Sequence, residues 1–496
     1  MKVNYILRSN ANVDGINNSI ASEMQKAFDV GNQVIFDCND NETMHTVVNG
    51  IYKPKEIIFS HDWDELHRYP FHSVDADILE KMLPYKSMAM HIMMRENQYD
   101  IFDRNYLETV YYRHLKYWNA LIDEYSINCV INMLSPHHCG EYILYALAQI
   151  KNIAYVWLNP QISANGVLFG IGRSIETIGD NICQEYNSSQ NRVIGFDDLG
   201  PYMKGAVSAV RNAVMMQSKE RDKLIKDNKR TALDFISLRR IIGGFVLRRP
   251  RYYIRRNNSS LDMIRYQTHV RSFSLKLKAR RKERKMDHLS DYKKYAVKPN
   301  FNDKYIYFAL QVSPEASTMP QAGEFKNQLL SLEILSEAAA KLGVKVYVKE
   351  HWSQYHRESG YYKNIAQLPN TFLVDFNSNS IELTEHAICI STQTGNVIFE
   401  SLIKKKPALV FSKGYTFKGA PNVKEITSAK QAESVIKDIL DKGLNITDND
   451  VYAYLKAMEN NMIYCYVDSL SETSDYYDKN VTAKQIVDFL KDNYNF

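Results

Sequence analysis

Short apolar runs alternate with longer stretches of helical spacing along both ends of this chain, and a long basic segment without apolar runs separates them. In the first part, residues 3–7, 33–36, 56–59, 129–133 and 154–158 read as buried strands, because each is a brief apolar run bounded by polar or turn residues. Residues 17–28, 105–125 and 141–150 carry helical spacing between them. Strand and helix in alternation predict βα units on a mostly parallel sheet. The same alternation returns after residue 297, with strands expected at 305–310, 344–349, 371–374, 387–390 and 408–411 and helices at 325–341 and 396–403. The tail predicts two Tyr-rich helices, 450–470 and 482–494. The expected organisation is an α/β protein: a Rossmann-like domain over 1–200, a basic helical linker over 201–297, a second Rossmann-like domain over 298–445, and a helical tail over 446–496 that packs back on both.

Length and composition fit that picture. A chain of 496 residues is long enough for about two to three domains. No run of about 18 apolar residues occurs, so no membrane span is expected. The opening MKVNYILRS reads as a strand and lacks the basic-then-apolar pattern of a signal peptide. The six cysteines have no paired spacing, which suggests a reducing cytosol and no metal. Charge adds one further feature. Residues 229–298 hold 21 Lys and Arg against 5 Asp and Glu, a net +16, so the remainder of the chain sums to −11. Within this belt Leu238, Ile241, Ile242, Phe245 and Val246 form an apolar stripe flanked by arginines, although Gly243 and Gly244 weaken a helix there. The pattern suits an anionic membrane surface. Few aromatics interleave with the cations of KLKARRKERK, which argues against a groove for single-stranded nucleic acid.

Candidate chemistry gathers where strands end. After residues 387–390 come Ser391, Thr392, Gln393, Thr394 and Gly395, and then a helix that holds Glu400. Small hydroxyl residues and Gly before a helix offer backbone amides to an anion, and Glu400 would accept from ribose hydroxyls. Two more loops follow strands and would share that sheet edge. One carries Gln311, Pro314, Glu315, Ser317 and Thr318, and the other carries Lys349, Glu350 and His351. Lys349 and His351 would neutralise a departing phosphate, so no metal or other cofactor is required. In the first part the turn SPHHCGE opens a helix and presents His137, His138 and Glu141. His138 or Glu141 would serve as catalytic base, or Glu141 as nucleophile. A metal at His137 and His138 is not expected, since no third ligand has suitable spacing. Gly170 and Gly172 give a dinucleotide motif that lacks its third glycine, and it is set aside.

The run YIYFALQVSPEASTMPQAGEF, then VYVKEH, LPNTFLV, STQTG and FESLIKKKPALVFS, resembles the capsule polysaccharide biosynthesis family, which includes bacterial Kdo transferases. The resemblance covers roughly residues 303–425. It implies a GT-B fold, two Rossmann-like domains facing a cleft, and a nucleotide-activated sugar, commonly CMP-linked. It also implies that His351, at the place of a His-Pro motif, and Ser391 with Thr392, at that of a paired-hydroxyl motif, contact the nucleotide. Trp352 stands where that motif has Pro, Gln311 where relatives often have His, and Lys405-Lys406-Pro407 where they have Gly-Lys-Pro.

The function expected is therefore a glycosyltransferase that builds a bacterial capsule or lipopolysaccharide. It would act from the cytoplasm at the inner membrane on a glycan or lipid-linked glycan acceptor. A polyol-phosphate transferase or sugar-nucleotide epimerase on the same fold, or a non-enzymatic surface binder, is the alternative.

Overall fold

The computed structural model describes residues 2–9, 15–36, 47–59, 64–96, 102–161, 168–189, 191–212, 288–313, 315–352, 354, 357–412, 415–465 and 476–496. The apolar stripe near Leu238, the cationic cluster 276–285 and the predicted helix 215–228 lie outside them.

Two sheets organise these residues. The first contains β1 (Val3–Arg8), β2 (Val30–Phe36), β3 (Gly50–Lys53), β4 (Cys129–Asn132), β5 (Ala154–Gln161) and β6 (Leu168–Gly172). The second contains β7 (Tyr305–Ala309), β8 (Lys345–Lys349), β9 (Thr371–Leu373), β10 (Cys389–Thr392), β11 (Ala408–Val410) and β12 (Val423–Glu425). A last strand, β13 (Met462–Tyr464), returns to the first sheet. The orders are β3-β2-β1-β4-β5-β6-β13 and β9-β8-β7-β10-β11-β12, so each sheet runs 3-2-1-4-5-6 outward from its first strand. All pairs are parallel except β5–β6 and β6–β13. This is the Rossmann order, and strand order reverses between β1 and β4 and again between β7 and β10. Two such domains meeting at the carboxyl ends of their strands make a GT-B architecture.

Helices cover the sheets on both faces. In the first domain α1 (Ile16–Ala27) lies on one face. On the other lie α2 (Ala76–Glu96), α3 (Arg104–Glu124) and α4 (Cys139–Ile150). Trp118, Tyr111 and Trp157 fill the core under α2 to α4. The tail helix Lys479–Asn493 packs beside α1, its Ile486, Val487 and Leu490 sharing a core with Ile16, Ile20 and Met24. The tail is thus not purely helical as expected: Asn461 ends the helix Asp448–Asn460, and the chain adds β13 to the first sheet before turning back.

Residues 56–59, read as a strand, include part of a 3-10 turn, Lys55–Ile58. Gly140 in the first turn of α4 presses onto it. A Cβ there would stand 2.2 Å from the Ile57 carbonyl oxygen, so only a glycine allows this approach. Gly170 and Gly172 also have a packing reason: both sit in β6, where a Cβ would fall within 2.6–2.7 Å of Ile178.

Among the described residues, no helix is long and apolar enough to cross a membrane.

Candidate active site

Ligands in open α/β sheets bind beyond the strand ends where the order reverses. In the first domain that place is flanked by Arg8 and Ser9 at the end of β1 and by Ser135 to His138 after β4. Glu141, in the first turn of α4, is fully buried there. Its Oε1 pairs with the equally buried Arg8, and its Oε2 accepts from the backbone N–H groups of His137 (3.4 Å) and His138 (3.3 Å). Oε2 is committed to the two amides and Oε1 faces the Arg8 cation as an ion pair without a hydrogen bond, which gives Glu141 the part of an anchor that shapes the turn.

The turn that Glu141 holds presents two imidazoles 4.2 Å apart. Burial, aided by the neighbouring His138 and Arg95, pushes the His137 pKa well below its ordinary value, so the ring is neutral. Its Nδ1 lies 2.8 Å from the Ser135 carbonyl, which can only accept, so Nδ1 carries the proton. His138 is different. Its Nδ1 is 2.8 Å from Oε1 of Glu96, the last residue of α2, and its ring packs edge-on against Phe59. A carboxylate on Nδ1 fixes the tautomer and leaves the Nε2 lone pair as a base, the arrangement of an oriented general base. Glu96 is 42 residues from its partner in sequence, and no local spacing signals the pair.

His137, His138 and Glu141 bring donor atoms within 4.8 Å of one another, so folding does supply a third ligand type. The Glu141 oxygens already serve Arg8 and two amides, and the cation of Arg95 stands beside His137, so this set does not suit a metal ion.

The second reversal point holds most of the remaining candidates, though several have internal duties. Ser391 and Thr392 belong to β10 and are fully buried. Their hydroxyls donate to the carbonyls of Leu409 (3.1 Å) and Ala309 (3.3 Å) on the flanking strands, which takes them from a nucleotide. Gln311 clamps the loop: its Nε2 donates to Thr394 Oγ1 at 2.8 Å and its Oε1 accepts from the Thr394 N–H at 3.0 Å. One expected amide is thus occupied. The N–H groups of Gly395, Asn396 and Val397 have no protein partner among the described residues. Thr392 and Gln311 also press on Gly395, where a Cβ would lie 2.9 Å from Thr392 Oγ1. The helix that follows, Val397–Ile403, matches the expected 396–403 with Asn396 as its N-cap.

Two glutamines outside the predicted set brace the loop after β7. Gln328 and Gln354 each bond both the N–H and the carbonyl of one residue, Gln311 and Ser313 respectively, as a neighbouring strand would. Glu350 is not a surface residue. It is buried and accepts from Arg357 at 2.8 and 2.9 Å, from Tyr362 OH at 2.8 Å and from the His351 N–H at 2.7 Å. Arg357 also donates to the Gln311 carbonyl at 2.8 Å, tying the β8 loop to the β7 loop.

Burial lowers the pKa of His351 to about 4, with Lys349 and Arg357 adding to the fall and Glu350 opposing it. His351 is therefore neutral at pH 7 and would meet a phosphate through hydrogen bonds, not charge. Lys349 is buried too, its Nζ 5.9 Å from the Phe376 ring centre. Burial raises Glu400 to about 7, against the pull of Lys349, and Glu400 Oε2 is buried without a hydrogen-bond partner among the described residues. At Glu400 the folded state binds a proton more tightly than the unfolded chain does. Stability from this group is therefore greatest in acid and falls as pH rises toward 7. Replacing Glu400 with Gln is expected to raise stability at pH 8 by about 2–3 kcal/mol and to flatten its slope below pH 7. Urea denaturation across pH 5–8 measures this, and equal gains at both ends would count against it.

The two reversal points come together through side chains. Arg95 of α2 donates to the His137 carbonyl and, at 3.1 Å, to the Met319 carbonyl of the second domain. Gln321 Nε2 donates to Asn159 Oδ1 at 2.7 Å and to Ser135 Oγ at 3.2 Å. Glu315, which opens the turn that carries Met319 and Gln321, is exposed.

No family model and no curated protein matches this chain. Solved structures that are similar include the Thermosulfurimonas dismutans KpsC, beta Kdo 2,7 transferase, at 11% identity over 75% of this chain and 88% of that one, TM-score 0.30. A UDP-GlcNAc 2-epimerase from Neisseria meningitidis bound to UDP-GlcNAc has 11% identity over 99% and 100%, TM-score 0.27. CalG4, the calicheamicin glycosyltransferase, has 11% identity over 93% and 95%, TM-score 0.26. Likenesses this remote decide nothing about chemistry, and the fold rests on the strand order of its two sheets.

Proposed function

We propose that this protein is a glycosyltransferase that moves a sugar from a nucleotide donor to a glycan or lipid-linked glycan acceptor in the assembly of a bacterial capsule or lipopolysaccharide. The observation that carries the reading is the carboxylate-oriented His138 at one Rossmann reversal point, joined across a cleft to the other. The donor would lie over the second sheet, its phosphate at the free amides of Gly395, Asn396 and Val397 and its ribose near Glu400. The acceptor would lie over the first. His138 Nε2 takes the proton of the acceptor hydroxyl, and Glu96 stabilises the imidazolium. The acceptor oxygen bonds to the anomeric carbon as the bond to the donor phosphate breaks, and the phosphate leaves with the electron pair. The resemblance of residues 303–425 to capsule-assembly transferases supports the same reading and favours a CMP-linked donor. The +16 belt over residues 229–298 would hold the enzyme at the anionic cytoplasmic face of the inner membrane.

Calorimetry with CMP, UDP, GDP and their sugars tests the donor site. At least one is expected to bind, and His351→Ala or Glu400→Ala to weaken it roughly tenfold, the cost of one or two lost hydrogen bonds. Equal affinity in wild type and variants, or no binding by any nucleotide, refutes the assignment. Mass spectrometry of the product then separates a new glycosidic bond from epimerisation.

A further inference from the structure

Residues 315–321 form a turn that belongs to the second domain by sequence and is gripped by both domains. Inside it, the Glu315 carbonyl accepts from the N–H groups of Thr318 (3.0 Å) and Met319 (2.8 Å), and the Gln321 N–H donates to the Ala316 carbonyl at 3.1 Å. Its own domain holds it by Ser412 Oγ on the Gln321 carbonyl (2.7 Å) and by Thr394 Oγ1 on the Ser317 carbonyl (2.8 Å). Thr394 directly precedes the amides assigned to the donor phosphate. The first domain holds the turn by the buried Gln321 side chain, whose Nε2 donates to Asn159 Oδ1 (2.7 Å) and Ser135 Oγ (3.2 Å). Ser135 lies two residues before His137, and Trp157 Nε1 braces it with a bond of 3.1 Å.

A second tie between the domains is Arg95, which with Glu96 ends α2. Its Nη1 donates to the Met319 carbonyl of the turn at 3.1 Å, and its Nη2 donates to the His137 carbonyl. Nη2 also stands 3.9 Å from Glu96 Oε1, within ion-pair reach but too far for a hydrogen bond. That oxygen is the one that His138 Nδ1 meets at 2.8 Å. The Arg95 and Glu96 side chains are almost wholly buried, so water screens their attraction little. A guanidinium is a rigid planar fork, and with its nitrogens aimed at two carbonyls it is not aimed at the carboxylate. Glu96 Oε1 is thereby left to His138.

We propose that docking of the second domain completes the base: the Met319 carbonyl, seated by Gln321, holds Arg95 off Glu96, so that Glu96 orients His138 only while the turn is in its socket. Arg95 is then a positioning residue, acting through Glu96 and His138. Only the identity of the hydroxyl that this base serves rests on the glycosyl-transfer reading. With the turn withdrawn, Nη1 loses its acceptor, and a buried cation left short of an acceptor turns to a charge within reach. Glu96 lies within that reach. A bidentate Arg95–Glu96 pair would take Oε1 from His138 and leave the imidazole without its orienting partner. Thr394 fastens the same turn from the donor side, so the base is complete only where the donor loop is seated.

Gln321→Ala, which removes the bonds to Asn159 and Ser135, tests this in the full chain, alone and combined with Arg95→Ala. Two readouts need no substrate. Hydrogen exchange followed by mass spectrometry is expected to quicken severalfold in residues 133–142, in the domain that does not carry the change, while residues 328–341 and 479–493 keep their wild-type rates and show that the chain is folded. With ¹⁵N-labelled histidine, the Nδ1–H proton of His138, identified by its absence from His138→Gln, is expected as a slowly exchanging signal in wild type. It should be lost in Gln321→Ala and regained in the double variant, where no guanidinium competes for Glu96. A signal that survives Gln321→Ala, or one that stays lost in the double variant, overturns the proposal. With a sugar nucleotide that is turned over, Gln321→Ala is expected to lower kcat about tenfold with the donor KM little changed, as for a base that has lost its carboxylate. The same change should cost little once Arg95 is Ala, whereas a merely structural contact gives losses that multiply. The expected proton signals without turnover of any CMP-, UDP- or GDP-sugar would refute the transfer reading and uphold the docking. Turnover with an unchanged kcat in Gln321→Ala would do the reverse.

Discussion

Replacing Arg357 with Ala is expected to lower the unfolding free energy by about 3–5 kcal/mol, the usual cost of leaving one partner of a buried ion pair without the other. Among the described residues, Glu350 would remain buried with only Tyr362 and the His351 amide as donors. Burial alone pushes its carboxyl up, and the charge and bonds of Arg357 reverse this, so that Glu350 titrates below the ordinary value. A carboxylate with a lowered folded pKa contributes stability that is present above the unfolded pKa and lost as pH falls through the folded one. The penalty of Arg357→Ala should therefore be full at pH 7 and shrink in acid. The double change Glu350→Leu with Arg357→Met should cost less than Arg357→Ala alone, because it removes both charges. Urea denaturation at pH 7 and at pH 4 measures all of this. A loss under about 1 kcal/mol at pH 7 would mean that water reaches the pair and that it behaves as a surface bridge. The Gln311 carbonyl loses a donor as well, so nucleotide affinity should fall with stability.

Replacing His138 with Ala is expected to lower kcat by about 10²–10⁴ with the donor KM little changed, as befits a base that acts on the acceptor hydroxyl. Glu96→Gln keeps a hydrogen bond to Nδ1 but removes the charge that supports the imidazolium. Its loss should be smaller, on the order of tenfold to a hundredfold. Glu141→Gln should do its damage through the turn itself, lowering stability together with activity, since its carboxylate touches Arg8 and two amides. Initial rates at saturating donor separate these cases. An enzyme that keeps more than a tenth of its rate without His138 would exclude it as the base.

Much of the frame is legible before folding. The strands around Ile6, Val130, Val156, Ile306, Val346 and Ile390 are apolar runs closed by polar residues, a pattern that local burial imposes. Of the edge strands, Thr371–Leu373 is legible, but Gly50–Lys53, Val423–Glu425 and Met462–Tyr464 are not, because they are short and take their form from a neighbour already in place. The same division runs through the site. His138 stands at a strand end and opens a helix, so the sequence marks it. Glu96 and Arg95 sit at the end of α2, with nothing local to distinguish them. Conversely, Ser391 and Thr392 look like ligands in sequence because their hydroxyls are small and polar, but a hydroxyl inside a parallel sheet is claimed by the nearest carbonyl.

The amino-acid order by itself determined two α/β units, their strands, and the loops where chemistry belongs, since these follow from the periodicity of apolar residues and from where it stops. Tertiary structure alone decided which polar groups remain for a ligand. Glu141, Glu350, Ser391, Thr392 and Gln311 are spent on internal bonds, whereas His138 gains its carboxylate from a helix 42 residues away. The reason is physical: a buried polar group must find a partner, and only the packed chain fixes which partners lie within hydrogen-bond distance.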